Sequence, residues 1–126
     1  MNIPENLKYT KDHEWVRMEE NEAYVGVTDF AQSELGDIVY VDINTVGQSL
    51  ARESVFGSVE AVKTVSDLFL PLSATILEVN PLLNDKPELV NQDPYGEGWM
   101  AKISIENAVE LSELLDAETY SNLISK

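Results

Sequence analysis

Apolar and polar residues alternate with the period of two that marks strands along much of the amino-terminal part of the chain. Ala23, Val25 and Val27 alternate with Glu22, Tyr24 and Gly26, which predicts a strand with one face buried. Glu14–Met18 reads as another strand. The polar stretch Met18-Glu19-Glu20-Asn21 turns the hairpin between them, without the favoured Asn-Gly pair. At Thr28 the period changes. Thr28 is a good N-cap, Asp29 stands in the first turn, and Gly36 supplies a stop. Phe30, Ala31, Glu34 and Leu35 share one face of this short helix. Asp37–Ile43 is nearly continuous in Ile38, Val39, Tyr40, Val41 and Ile43, and predicts a strand covered on both faces.

Ser54–Val65, Leu68–Leu72 and Thr75–Val79 are further β-rich runs. Strands this short, parted by turns at short intervals, predict a mostly β chain folded as a small barrel or sandwich. Asn80 to Gly98 is a long connection punctuated by Asn80-Pro81 and Asp93-Pro94. Within it, Pro87-Glu88-Leu89-Val90 reads as one helical turn opened by proline. Trp99, Ala101, Ile103 and Ile105 then alternate with Met100, Lys102 and Ser104 in a last strand. The carboxyl end reads as helical. Asn107 and Glu110 have capping-box spacing, and Leu111, Leu114 and Leu115 share a face. Asp116 caps a second short helix bearing Tyr120, Leu123 and Ile124.

Composition narrows what such a chain does. Its 126 residues suit a single domain, residues 1–126, and 44% hydrophobic residues suit a packed core. A net charge of −15 disfavours nucleic acid and anionic membrane surfaces as partners. The absence of cysteine removes disulfides, thiol nucleophiles and cysteine-based zinc sites. A single histidine removes a histidine-rich metal site. No phosphate loop, dinucleotide fingerprint or nucleophile elbow occurs, and Met1–Lys11 resembles neither a signal nor a transit peptide. These features leave an enzyme reading with no motif behind it, and point to a protein cytoplasmic in a bacterium or to a mature mitochondrial form.

Two positions stand out. His13, in Asp12-His13-Glu14-Trp15, reads either as a polar site beside an aromatic or as a strand-edge histidine bonded to a neighbouring carboxylate or backbone group. Lys63 is the sole lysine between Lys11 and Lys86. It lies between two β-rich runs, as at an exposed hairpin tip, with Glu60 three residues before and Asp67 four after. A long primary amine on such a tip is an attachment point that a modifying enzyme can reach. Equally, it is a lysine that keeps a sheet edge soluble.

The segment Gly57-Ser58-Val59-Glu60-Ala61-Val62-Lys63-Thr64-Val65-Ser66-Asp67 resembles the lipoyl-attachment segment of the glycine cleavage system H proteins. Further blocks resemble that family in order: Lys8 to Val16, Gly26 to Gln32, Leu35 to Val41, Pro87 to Asn91, Asp93 to Trp99, and Leu114 to Ala117 with Tyr120. The resemblance implies a lipoyl/biotinyl-type barrel-sandwich hybrid with short helices and a helical carboxyl terminus. It implies lipoic acid on Lys63 in amide linkage, with Gly57, Glu60 and Asp67 supporting recognition of the tip. It also implies a cleft near the amino-terminal strand, at Glu14 and Asp67, into which the loaded arm folds. The implied partners are a pyridoxal-phosphate glycine decarboxylase that loads an aminomethyl group, a tetrahydrofolate-dependent aminomethyltransferase that removes it, and a dihydrolipoyl dehydrogenase that reoxidises the arm. A lipoate ligase or octanoyltransferase is implied as the modifying enzyme. Alternatives are a relay that passes lipoyl or octanoyl groups to 2-oxoacid dehydrogenase complexes, and an unmodified interaction domain. A biotin carrier fits poorly, since Val62-Lys63-Thr64 replaces its usual Met-Lys-Met. Ala61 replaces the family's usual serine, while Glu53 and Ala74 stand where glycine is usual and Val55 where a polar or acidic residue is. If the glycine at position 74 adopts a positive φ, alanine there costs about 1 kcal/mol.

Overall fold

The computed structural model describes residues 2–125. Its strands are β1 (Lys8–Tyr9), β2 (Glu14–Glu19), β3 (Glu22–Val27), β4 (Ile38–Asp42), β5 (Ser49–Leu50), β6 (Val55–Ala61), β7 (Val65–Phe69), β8 (Ala74–Val79) and β9 (Ala101–Ile105). The helices are α1 (Asp29–Leu35), α2 (Leu82–Asp85), α3 (Leu89–Gln92) and α4 (Ala117–Ile124), with a 3-10 segment at Ala108–Glu113. One sheet runs β1-β2-β3-β9-β8-β5 and the other β4-β6-β7. All pairings are antiparallel. This is the mostly β barrel-sandwich expected from the sequence.

The main core lies between the sheets. Val16, Val25, Val41, Val59, Leu70, Ile76 and Ile103 are among its buried side chains. A second cluster, Leu7, Tyr9, Trp15, Ala117 and Tyr120, fixes α4 against the amino-terminal strands. Helix α1 is as its caps predict. Thr28 Oγ1 accepts the Ala31 N–H, and Gly36 closes the helix at φ +82°. Asn91 then ties α1, α3 and β4 together: its amide donates to Gln32 Oε1 and the Gly36 carbonyl, and its Oδ1 accepts the Ile38 N–H.

Several expectations are corrected. Strand β4 is covered on one face only. Ile38 and Val41 are buried, whereas Val39 and Tyr40 are 46% and 52% exposed, and a register shift between Ile38 and Tyr40 breaks the simple alternation. The run Leu68–Leu72 stops pairing at Phe69. Leu70 and Leu72 are still fully buried, but the Leu70 N–H turns to the Ser54 carbonyl and Pro71 has no N–H to give. The helical turn expected at Pro87–Val90 is Leu89–Gln92, with the Pro87 carbonyl accepting the Val90 N–H ahead of it. Alternation in the last strand starts at Ala101, because Met100 is buried in the main core while Trp99 packs on the second cluster.

Asn107 caps its segment through the Val109 N–H, but the segment is 3-10. Glu110 does not complete a capping box. Its carboxylate instead accepts the Ser73 N–H at 2.7 Å and the Ser73 hydroxyl at 2.9 Å. Ala74 lies in ordinary strand backbone, so the feared cost is absent there. Glu53, by contrast, has φ +71°.

Candidate functional site

Strands β6 and β7 meet in a tight turn with Val62 and Lys63 at its tip. Glu60 pairs with Val65, and the Ala61 N–H donates to the Thr64 carbonyl at 2.8 Å. The base of the turn is anchored by the Val62 N–H on the Asp37 carbonyl at 3.1 Å. Lys63 is exposed, and Val62 and Val65 beside it are 71% and 64% exposed. The hairpin thus holds its backbone rigidly and offers the amine to solvent. Glu60 and Asp67 are exposed on the same hairpin, Asp67 opposite Ser58.

Gly57 sits lower in β6. A Cβ there would stand 2.6 Å from Ile43 Cγ1 and 2.7 Å from the Asp42 carbonyl oxygen. The geometry gives this glycine a packing duty, because the chain after β4 crosses it too closely for any side chain.

Beside the hairpin lies a cleft of about 150 Å³. One wall is the α1 face read from the sequence period, Phe30, Ala31, Glu34 and Leu35. The other comes from β6 and β7 through Val59, Ser66, Asp67 and Leu68. His13 and Glu14 line it as well. The structure therefore brings Glu14 and Asp67 to one cleft, on elements that are distant in sequence. Lys63, Gly57 and Glu60 do not line it. The cleft is mainly apolar with a few polar groups, a composition that suits a short hydrocarbon chain ending in a polar group.

Glu14 is only 4% exposed. Its carboxyl accepts the Phe69 N–H at 2.8 Å and the Thr10 hydroxyl at 3.4 Å. Burial pushes its pKa up to about 8, with Asp12 adding to the rise and both hydrogen bonds opposing it. Glu14 also borders a second hollow of about 140 Å³, whose far side carries Arg52, Glu53 and Glu113. Arg52 and Glu113 are paired there at 3.2 Å.

His13 is not at a strand edge bonded to a carboxylate or backbone group through its ring. It occupies a turn at φ +67°. Its Nδ1 lies 2.9 Å from Tyr120 Oη, a partner 107 residues away, and its ring packs on Phe30 at 4.8 Å. Burial lowers its pKa, against the pull of Asp12 and Glu34. Sequence reasoning missed Tyr120 as part of this surround, because neither its place on a helical stripe nor its place in a family-like block names a partner 107 residues away. Among the described residues, no group of histidine and acidic side chains is placed to hold a metal ion.

The family model described as "Glycine cleavage H-protein" matches residues 7–126. A glycine cleavage system H protein from Bacteroides fragilis is 56% identical over 125 residues, covering 99% of each chain. One from Chlorobium limicola is 57% identical over 128 residues and covers all of both. The crystal structure of a glycine cleavage system H protein from Mycobacterium marinum superposes with a TM-score of 0.86 at 34% identity. That match covers 98% of this chain and 100% of the other.

Proposed function

The chain belongs to the glycine cleavage H-protein family, and on that footing we propose that Lys63 is its point of covalent lipoylation. The whole chain then acts as one carrier domain with no catalytic residue of its own. The observation that carries this reading is the exposed Lys63 on a braced β6–β7 turn beside a cleft walled by α1. The cleft's apolar walls and buried Glu14 fit a lipoyl arm, which when bound supplies a dithiolane able to take up and release a one-carbon amine unit.

Each part of the chain has a physical task in this scheme. The turn projects Lys63 so that its amine enters the active site of a lipoate ligase or octanoyltransferase. Gly57 keeps β6 flat against the chain leaving β4 and so sets the pitch of the hairpin. Glu60 and Asp67 give the tip a local negative charge for those enzymes to read. Phe30, Leu35 and Leu68 exclude water from the cleft. Asp67, and Glu14 once it gives up its proton, are the acceptors there for a protonated amine. Tethering holds the cargo at roughly millimolar effective concentration for a docked partner. Those partners are a pyridoxal-phosphate glycine decarboxylase, an aminomethyltransferase and a dihydrolipoyl dehydrogenase.

The test is the intact mass of the protein from its own cells, with the peptide bearing Lys63 sequenced by fragmentation. A lipoyl-sized increment on Lys63, lost in Lys63→Arg, is expected. An unmodified Lys63 under lipoate-replete, glycine-rich growth overturns the reading.

A further inference from the structure

Three polar side chains from distant parts of the chain meet beside the cleft. Tyr120 of α4 is fully buried, and its ring stacks on Tyr9 at 4.8 Å with planes 8° apart. Its hydroxyl lies 2.7 Å from Thr28 Oγ1 and 2.9 Å from His13 Nδ1. The direction of the protons in this chain follows from counting donors. Thr28 is fully buried, and its Oγ1 already accepts the Ala31 N–H as the α1 cap. Among the described residues, the acceptor that its own proton meets is Tyr120 Oη. The tyrosine proton then has His13 Nδ1 to serve. The reverse direction strands the threonine proton in a buried site with no acceptor.

The geometry points to Tyr120 as a positioning residue for the cleft: through Thr28 it holds His13 as the neutral tautomer protonated on Nε2. The role in cargo handling rests on the carrier reading above; the tautomer assignment does not. The same chain opposes protonation of His13. An imidazolium must donate from Nδ1, which reverses Tyr120 and leaves Thr28 without an acceptor. Other charged groups around the ring act the other way: Asp12 in its own turn, Glu34 on α1, and Glu14 next in sequence when it is ionised. The backbone is held as well. At φ +67°, His13 gives its N–H to the Thr10 carbonyl, and its carbonyl accepts the Thr28 N–H. A neutral imidazole adds a donor to the cleft rim without adding a cation that repels a protonated amine. The carboxyl-terminal helix, remote from the hairpin in sequence, thereby sets the charge of the cleft.

His13 is the only histidine, so its ring nitrogens are read without assignment by 15N NMR on the unmodified chain. The expected result is an acceptor-type Nδ1 and a protonated Nε2 at neutral pH. Tyr120→Phe keeps the stack and removes the hydroxyl. It is expected to give a mixture of tautomers and an upward shift in the His13 titration, whereas Thr28→Ser keeps the wild-type spectrum. In lipoylated protein loaded from glycine, Tyr120→Phe is expected to release ammonia several-fold faster. A wild-type ring protonated on Nδ1 overturns the proposal, and this needs no variant to fold. An unchanged titration and tautomer in a folded Tyr120→Phe also overturns it. Failure of the carrier reading shows separately, as absence of lipoate on Lys63.

Discussion

Glu14 and Phe69 are joined by a hydrogen bond of 2.8 Å from a strand amide to a buried carboxyl oxygen. It ties the amino-terminal sheet to β7, the strand that descends from the Lys63 turn. Burial of this carboxyl, which outweighs the opposing hydrogen bond, makes stability depend on pH. Glu14 is raised from 4.5 to about 8 in the folded chain. Between those values the folded state keeps a proton that the unfolded state releases, so stability falls as pH rises and the contribution is lost through about 8. Glu14→Gln keeps an acceptor for Phe69 and cannot ionise. Urea midpoints from about pH 5 to 9 are expected to fall by one proton's worth of slope more steeply in wild type than in the variant.

Gly57→Ala places a methyl group within 2.7 Å of the Asp42 carbonyl oxygen and closer still to Ile43. Backbone must move, at a cost of about 1–3 kcal/mol. Chemical denaturation measures this. If the carrier reading holds, lipoylation of Lys63 also slows, because the hairpin pitch changes.

Glu53 and Ala74 are expected to respond oppositely to replacement by glycine. Glu53 has φ +71°, and Glu53→Gly relieves left-handed strain that exceeds the entropy glycine adds to the unfolded chain, a gain of about 0.5–1 kcal/mol. Ala74 is fully buried in β8, and Ala74→Gly is expected to cost about 1 kcal/mol or more in the same assay.

Glu110→Ala removes the acceptor for both the Ser73 N–H and hydroxyl. The loss is expected to be about 1.5–3 kcal/mol. Hydrogen exchange is expected to quicken at Ser73 and in the 3-10 segment, while β2 and β3 stay protected.

The features legible in the sequence are those whose causes are local. Thr28 and Gly36 cap α1 with groups a few residues away, and Glu22–Val27 pairs through a short turn. The Lys63 turn was legible for the same reason. Glu110 looked like a capping residue until tertiary structure offered it Ser73, a partner 37 residues away. His13 was ambiguous because its partner, Tyr120, is brought to it only by the packing of α4. Exposure of Val39 and Tyr40 was hidden because a β-branched run looks the same whether one face or two are covered. The cleft was half visible. The α1 face could be read from its period, whereas Glu14 and Asp67 on the strands came only with the family resemblance.

The three-stranded sheet has β4 and β7 as its outer strands. An outer strand with free amides is a template for another chain to add to. Here each edge is plugged at one amide by a side chain from elsewhere, Asn91 on the Ile38 N–H and Glu14 on the Phe69 N–H. Charge repulsion at −15 keeps copies apart near neutrality, and acidification removes it as carboxylates gain protons. The plugs outlast the charge, since an amide does not titrate and a protonated carboxyl still has a carbonyl oxygen. Acidified solutions of this chain should therefore cloud as reversible, folded precipitate rather than seed fibres.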